Sequence, residues 1–197
     1  MIIESIPVRQ QQKMQTRRRL IDIAFNEFSR NGVATTRTVD IAHGAGVAHG
    51  TVFVHFPTRE ELIIEVIGEF GIKVAERMHE LAKAGKGVRA VLEAHLKGLE
   101  EYEDFYAHLI SELNELPREA HTALIGIQSA ISFHLFEAAH KGMSLGIIKS
   151  MPAHFLFNTW VGLLHHYLQN RELFAPNGSV IKNKGPELLD HFMNLIS

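Results

Sequence analysis

Apolar residues return every three to four positions along almost the whole chain, and no stretch alternates one by one for long enough to make a strand. That period predicts helices. The first spans about Lys13 to Arg30, with Leu20, Ile21, Ala24, Phe25 and Phe28 on one stripe and Asn31-Gly32 as a left-handed stop. Thr36 is placed to cap a short helix from Arg37 to about His43, and Gly44-Ala45-Gly46 then turns the chain into a second short helix over His49–His55. Pro57 ends that helix, and Thr58 caps a long fourth one reaching about Ala84. After the break at Gly85-Lys86-Gly87, helical patterns cover 88–101, 103–115, 117–141, 152–170 and 186–196, with loops at 142–151 and 174–185. The expected fold is all-α, about nine helices, with four in a small head and five in a larger body.

Within the head, residues 37–56 have the spacing of a helix-turn-helix. Two short helices that cross closely need a small residue at the crossing, which Ala42 supplies, and the turn needs a positive φ, which Gly46 accepts without strain. Ile41, Val47 and Val52 form the apolar triangle that locks the pair. His49, Gly50, Thr51 and Phe53 then fall on the outward, N-terminal part of the second helix, where a recognition helix meets a major groove. An ordinary helical hairpin would share the Ala and the Gly, but not the flanking positions.

Those flanks carry a specific likeness. Ala24, Phe28, Gly32, Thr36, Ile41-Ala42, Ala45-Gly46-Val47, Gly50-Thr51, His55-Phe56 and Glu61-Leu62 together resemble the DNA-binding domain of the tetracycline-repressor (TetR) family, over roughly residues 14–74. The resemblance implies a homodimer that represses transcription from a double-stranded DNA operator, with residues 75–197 as a ligand-binding and dimerisation domain and a small-molecule effector that relieves repression. It also implies that Thr36, Thr51, His55 and Arg59 touch DNA phosphates. Base reading falls to His49, helped by Arg37 and Thr38, while Gly50 permits close approach. Two positions depart from the family pattern. Ala48 stands where a Ser or Thr usually caps the recognition helix, forfeiting about 1 kcal/mol, and Phe53 replaces a common tyrosine.

Charge fits a polyanion-binding head. Residues 1–59 hold eight Lys/Arg against four acids, and the remainder twelve against eighteen, a split hidden by the net charge of −2. The basic run from Arg9 to Arg19 reads either as further DNA contact or as a solvated terminus. There is no cysteine, which suits a reducing compartment, and Met1-Ile-Ile-Glu-Ser lacks a signal peptide's basic start, so a cytoplasmic location is expected.

In the body, positions 150–170 contain no Asp, Glu, Lys or Arg. Pro152, Asn158, Gln169 and three histidines argue against a membrane span. A helix buried on two sides fits better: Phe157, Trp160, Val161, Leu164 and Leu168 line one face, and Leu156, Leu163 and Tyr167 another. With Leu188 and Phe192 of the last helix, Phe157, Val161, Leu164 and Leu168 are the candidate dimer seam. Phe105, Leu109, Phe133, Phe136, Phe155 and Trp160 are candidate lining for an apolar or aromatic effector, with plain core as the competing reading. Of the thirteen histidines, none forms the i, i+4 pair around an acid that helical zinc sites use, so neither metal nor cofactor is expected. No catalytic fingerprint is visible. The competing functions are an effector-independent DNA-binding protein and a helical metal-dependent enzyme.

Overall fold

The computed structural model describes residues 7–82 and 86–197. Among them the chain is all-α: α1 (Val8–Asn31), α2 (Thr38–Gly44), α3 (His49–His55), α4 (Arg59–Ala82), α5 (Val88–Glu100), α6 (Glu103–Ser111), a 3-10 turn (Leu113–Glu115), α7 (Arg118–Ser144), α8 (Ala153–Gln169), α9 (Arg171–Phe174) and α10 (Val180–Ile196). The expected end of the fourth helix at Ala84, like Met1–Ser5 and Gly85, lies outside the described residues. The helix set follows the apolar period, and it differs from expectation at the ends of elements. Helix α1 begins five residues before Lys13, at Val8, and α9 covers Arg171–Phe174, between the helical pattern that ends at Asn170 and the expected loop from Phe174.

The largest shift is in α10, which starts at Val180 and carries Pro186 inside it. Proline reads as a helix start because it lacks an N–H. Here Ser179 caps the helix through Lys182 N, 2.9 Å, and Val180, Ile181 and Gly185 are buried on its inner face. Burial of that first turn outweighs one missing backbone bond.

Head and body share one continuous apolar core running from Leu20 and Phe28 through Phe70 and Phe105 to Trp160 and Phe192. The junction is aromatic: Phe25 of α1 lies 4.7 Å from Phe105 of α6, and Phe105 lies 5.1 Å from Phe70 of α4. Helix α4 therefore belongs to both parts. It packs on α1 of the head and on α5 and α7 of the body. At Gly71 the α4–α7 approach is so close that a Cβ would come within 2.6 Å of Ile127. Among the described residues no helix is long and apolar enough to cross a membrane.

Candidate nucleic-acid interface

Helices α2 and α3 form the expected hairpin. Ile41, Ala42 and Val52 are buried between them, Gly46 turns the chain at φ 64°, and Val47 N donates to Ala42 O at 3.0 Å. Ala48 sits at the N-cap of α3 and gives it no side-chain bond, as its missing hydroxyl requires. The outer edge of α3 is open. His49 is exposed, nothing stands over the Gly50 Cα, and Phe53 and Val54 are 42% and 69% exposed. His49 is held from two sides, by Thr38 Oγ1 at 2.9 Å from its Nε2 and by an edge contact with Phe53. Thr51 is half-buried.

Beside α3 runs a groove lined by Arg9, Lys13, Thr16, Thr51, Val54 and His55, formed where the N-terminal turns of α1 pass that helix. Lys13 and Arg17 are close enough to His55 to act on it: burial first, then these two cations, lower its pKa. Arg17 is otherwise engaged, paired with Glu65 at 2.8 Å and lying over the Phe56 ring.

Two of the expected DNA contacts, Thr36 and Arg59, turn inward. Thr36 is buried and donates its hydroxyl to Gly32 O at 2.7 Å; Arg37 holds the N-cap of α2, and no side chain caps it. Thr36 therefore does not cap α2, because its hydroxyl closes the α1–α2 loop. Arg59 likewise turns inward. Its Nη2 donates to Val33 O, to Ala34 O at 3.0 Å and to Thr36 O at 3.2 Å, which tightens the loop ahead of α2. Arg37 is exposed, with a bidentate bond to Asp40.

The six expected effector-lining residues do not gather round one cavity. Phe105, Leu109 and Trp160 are fully buried, Phe136 is half-buried against Phe157, and Phe133 and Phe155 are 60% and 59% exposed. The last two face outward because the inner stripes of α7 and α8 fall on Leu124, Ile131 and Leu135 and on Leu156, Trp160 and Leu164. The expected dimer seam also turns inward: Leu164, Leu168, Leu188 and Phe192 fill the protomer's own core, and Phe157 and Val161 are half-buried. What α8 leaves outside is a ridge of Phe155, Thr159, Gly162 and His166 at helical spacing. Among the described residues no three His, Asp or Glu side chains gather to hold a metal ion.

Polar contacts that the helical period does not reveal tie the parts together. Glu103 is buried and accepts from Val180 N at 2.6 Å, from Ile181 N at 3.0 Å and from the Ser179 hydroxyl. Glu112 accepts from Ala34 N at 2.6 Å. His95 accepts from Trp160 Nε1 at 3.0 Å. A lone histidine on the apolar stripe Leu92, His95, Leu96, Leu99 was the available signal for the last of these.

Residues 20–66 match the family model for bacterial regulatory proteins, tetR family. The transcriptional repressor KstR2 of Rhodococcus jostii is 28% identical over 134 residues, 60% of this chain and 66% of that protein, so the match spans just under two thirds of the relative. Two solved structures have the same fold. FadR of Bacillus subtilis, in complex with stearoyl-CoA, superposes with a TM-score of 0.74 at 20% identity, over 91% of this chain and 99% of that one. PfmR, a TetR-family regulator of Thermus thermophilus, gives 0.71 at 17%, over 89% and 97%.

Proposed function

We propose that the chain, whose residues 20–66 match the family model for bacterial regulatory proteins, tetR family, is a repressor that binds a palindromic operator as a homodimer and leaves it when a small molecule enters the body. Residues 14–74 form the DNA-binding head and 75–197 the body, with α4 spanning the boundary. The observation that carries the reading is the open outer edge of α3, free of overlying structure at Gly50 and flanked by the cationic groove of α1. His49 reads bases, with Thr38 orienting its ring. Arg9 and Lys13 hold phosphates, while Arg59 and Thr36 act indirectly by shaping the loop before α2. The partner subunit packs on the outer ridge of α8, where Gly162 and Thr159 allow close helix approach. The effector is apolar or aromatic and enters the continuous core to which Phe105, Leu109 and Trp160 all belong. The stearoyl-CoA complex of FadR is a precedent for a ligand with a long apolar chain in this fold, there joined to a charged coenzyme A group.

Sequencing the genomic DNA captured by the purified protein, followed by titration of the recovered duplex, tests the reading. Four or more neutralised phosphates imply an affinity that falls about a hundredfold between about 50 and 200 mM salt. His49→Ala alters the preferred sequence, by about 1–3 kcal/mol per lost base contact. Binding that tolerates salt and ignores sequence would remove the repressor reading.

A further inference from the structure

The apolar interior of the body contains a polar cluster that packing alone does not call for. His95 of α5 is 1% exposed, and its Nδ1 accepts the Trp160 Nε1–H. That bond fixes the tautomer: Nδ1 carries no proton, so the neutral ring carries its hydrogen on Nε2. Among the described residues, Nε2 has no hydrogen-bond partner, although the atom is buried. His165 of α8 lies near enough to act on His95, and its own Nε2 is bonded to the Tyr106 hydroxyl at 2.7 Å. Burial holds both imidazoles neutral, with pKa values lowered to about 4. Buried donors are almost always paired, because desolvation without a bond is a net loss.

We propose that His95, oriented by Trp160, is the polar anchor of the effector site, and that the effector is an apolar molecule bearing a carbonyl-type oxygen, neutral or carboxylate, that accepts the Nε2 hydrogen. The proposal rests on the effector reading above and adds the chemistry of the ligand to it. A donor without an acceptor selects against amines, which bring only more donors in their protonated form, and against hydrocarbons, which leave the N–H unpaired. The anchor also adjoins the lever. Tyr106, bonded to His165, stacks on Phe70 of α4 at 5.7 Å, so a molecule that opens this cluster displaces the helix on which the head is mounted.

Isosteric pairs test it: 2-decanone against 2-methyl-1-decene, and acetophenone against α-methylstyrene, each replacing C=O by C=CH2, with decanoate as the charged arm. Trp160 is the sole tryptophan, so its emission reports binding at the anchor directly, alongside the melting temperature. At least one carbonyl compound is expected to bind at a concentration tenfold or more below that of its alkene. Tighter binding of decanoate than of 2-decanone assigns the oxygen to an acid, and the reverse order assigns it to a neutral carbonyl. His95→Phe brings the ratio close to one. Should that variant fail to fold, the imidazole 1H–15N spectrum of the wild-type protein decides, since the His95 Nε2 hydrogen moves downfield only with the carbonyl partner. Equal binding of both members, binding of neither, or selectivity that survives His95→Phe overturns the anchor. Selective binding that leaves operator affinity unchanged at saturation keeps the anchor and removes the gating. Operator release by both members alike does the opposite.

Discussion

Glu103 illustrates how one side chain can settle the position of a distant helix. The first N–H groups of any α-helix lack partners within it. In α10 two of them, on Val180 and Ile181, are taken by this carboxylate from the start of α6, which also holds the capping Ser179. The negative charge lies at the positive end of the helix. Charge-assisted bonds at a buried site are the strong kind, and removing the acceptor leaves two donors unpaired. Glu103→Ala is therefore expected to cost about 3 kcal/mol in urea unfolding, and Glu103→Gln less, since it keeps one acceptor oxygen. Equal stability of Glu103→Ala and the wild type would show that α10 is placed by its apolar face alone. Nothing in the local sequence marks Glu103, which sits in the run Glu100-Glu101-Tyr102-Glu103-Asp104 and reads there as solvated charge. Its partners lie more than seventy residues away.

Among the elements, α8 shows what periodicity can and cannot decide. That an uncharged helix must be covered on more than one side follows from its composition. Which stripe meets which neighbour does not, because Leu164 and Phe157 are equally apolar in the sequence. In the fold, Trp160 packs on Phe192 of α10 at 5.3 Å, and the stripe 156, 160, 164 and 168 is consumed within the protomer. The exposed ridge of Phe155, Thr159, Gly162 and His166 is where the proposed homodimer places its second subunit. A charge on the ridge separates the two readings. Gly162→Glu is expected to sediment as a folded monomer near 22.2 kDa, while the wild type runs at about twice that mass, whereas Leu164→Glu puts an unpaired charge in the core and unfolds the chain. A Gly162→Glu protein that remains dimeric would move the interface elsewhere. The head was legible for a different reason. Gly46, Ala42 and the Ile41–Val47–Val52 triangle act within twenty residues of one another, so their spacing alone fixes the hairpin. The inward bonds of Thr36 and Arg59 are not legible there, because their carbonyl partners exist only once the α1–α2 loop has closed.

At the scale of the whole molecule, the proposed ligand-gated repression requires the body to govern where the head stands. The two are joined by the unbroken run of α4, by the Phe25–Phe70–Phe105 contacts, and by Glu112 at the end of α6. Its Oε2 accepts the Ala34 N–H at 2.6 Å, and its Oε1 takes the His108 Nδ1–H at 3.0 Å. The close approach depends on Gly32, whose φ of 89° favours glycine and whose missing Cβ would overlap the Glu112 carboxylate. The opposite side of the same loop is gripped by Arg59. The segment that aims α2 and α3 is thus fixed by one residue of the body and one of α4. A partly buried bond to a carboxylate is worth about 1–3 kcal/mol, the same size as a typical coupling between two sites, so this contact is large enough to carry much of the signal. Glu112→Ala is expected to speed hydrogen exchange at the Ala34 amide about tenfold or more and to weaken operator binding several-fold, with the melting of the body little changed. Gly32→Ala, which drives the loop off the carboxylate from the other side, gives the same pattern, and a double variant adds little to either single one, as expected for two changes that break one contact. If Glu112→Ala keeps both the Ala34 protection and the operator affinity of the wild type, the head is steered by α4 alone, and α6 has no part in it.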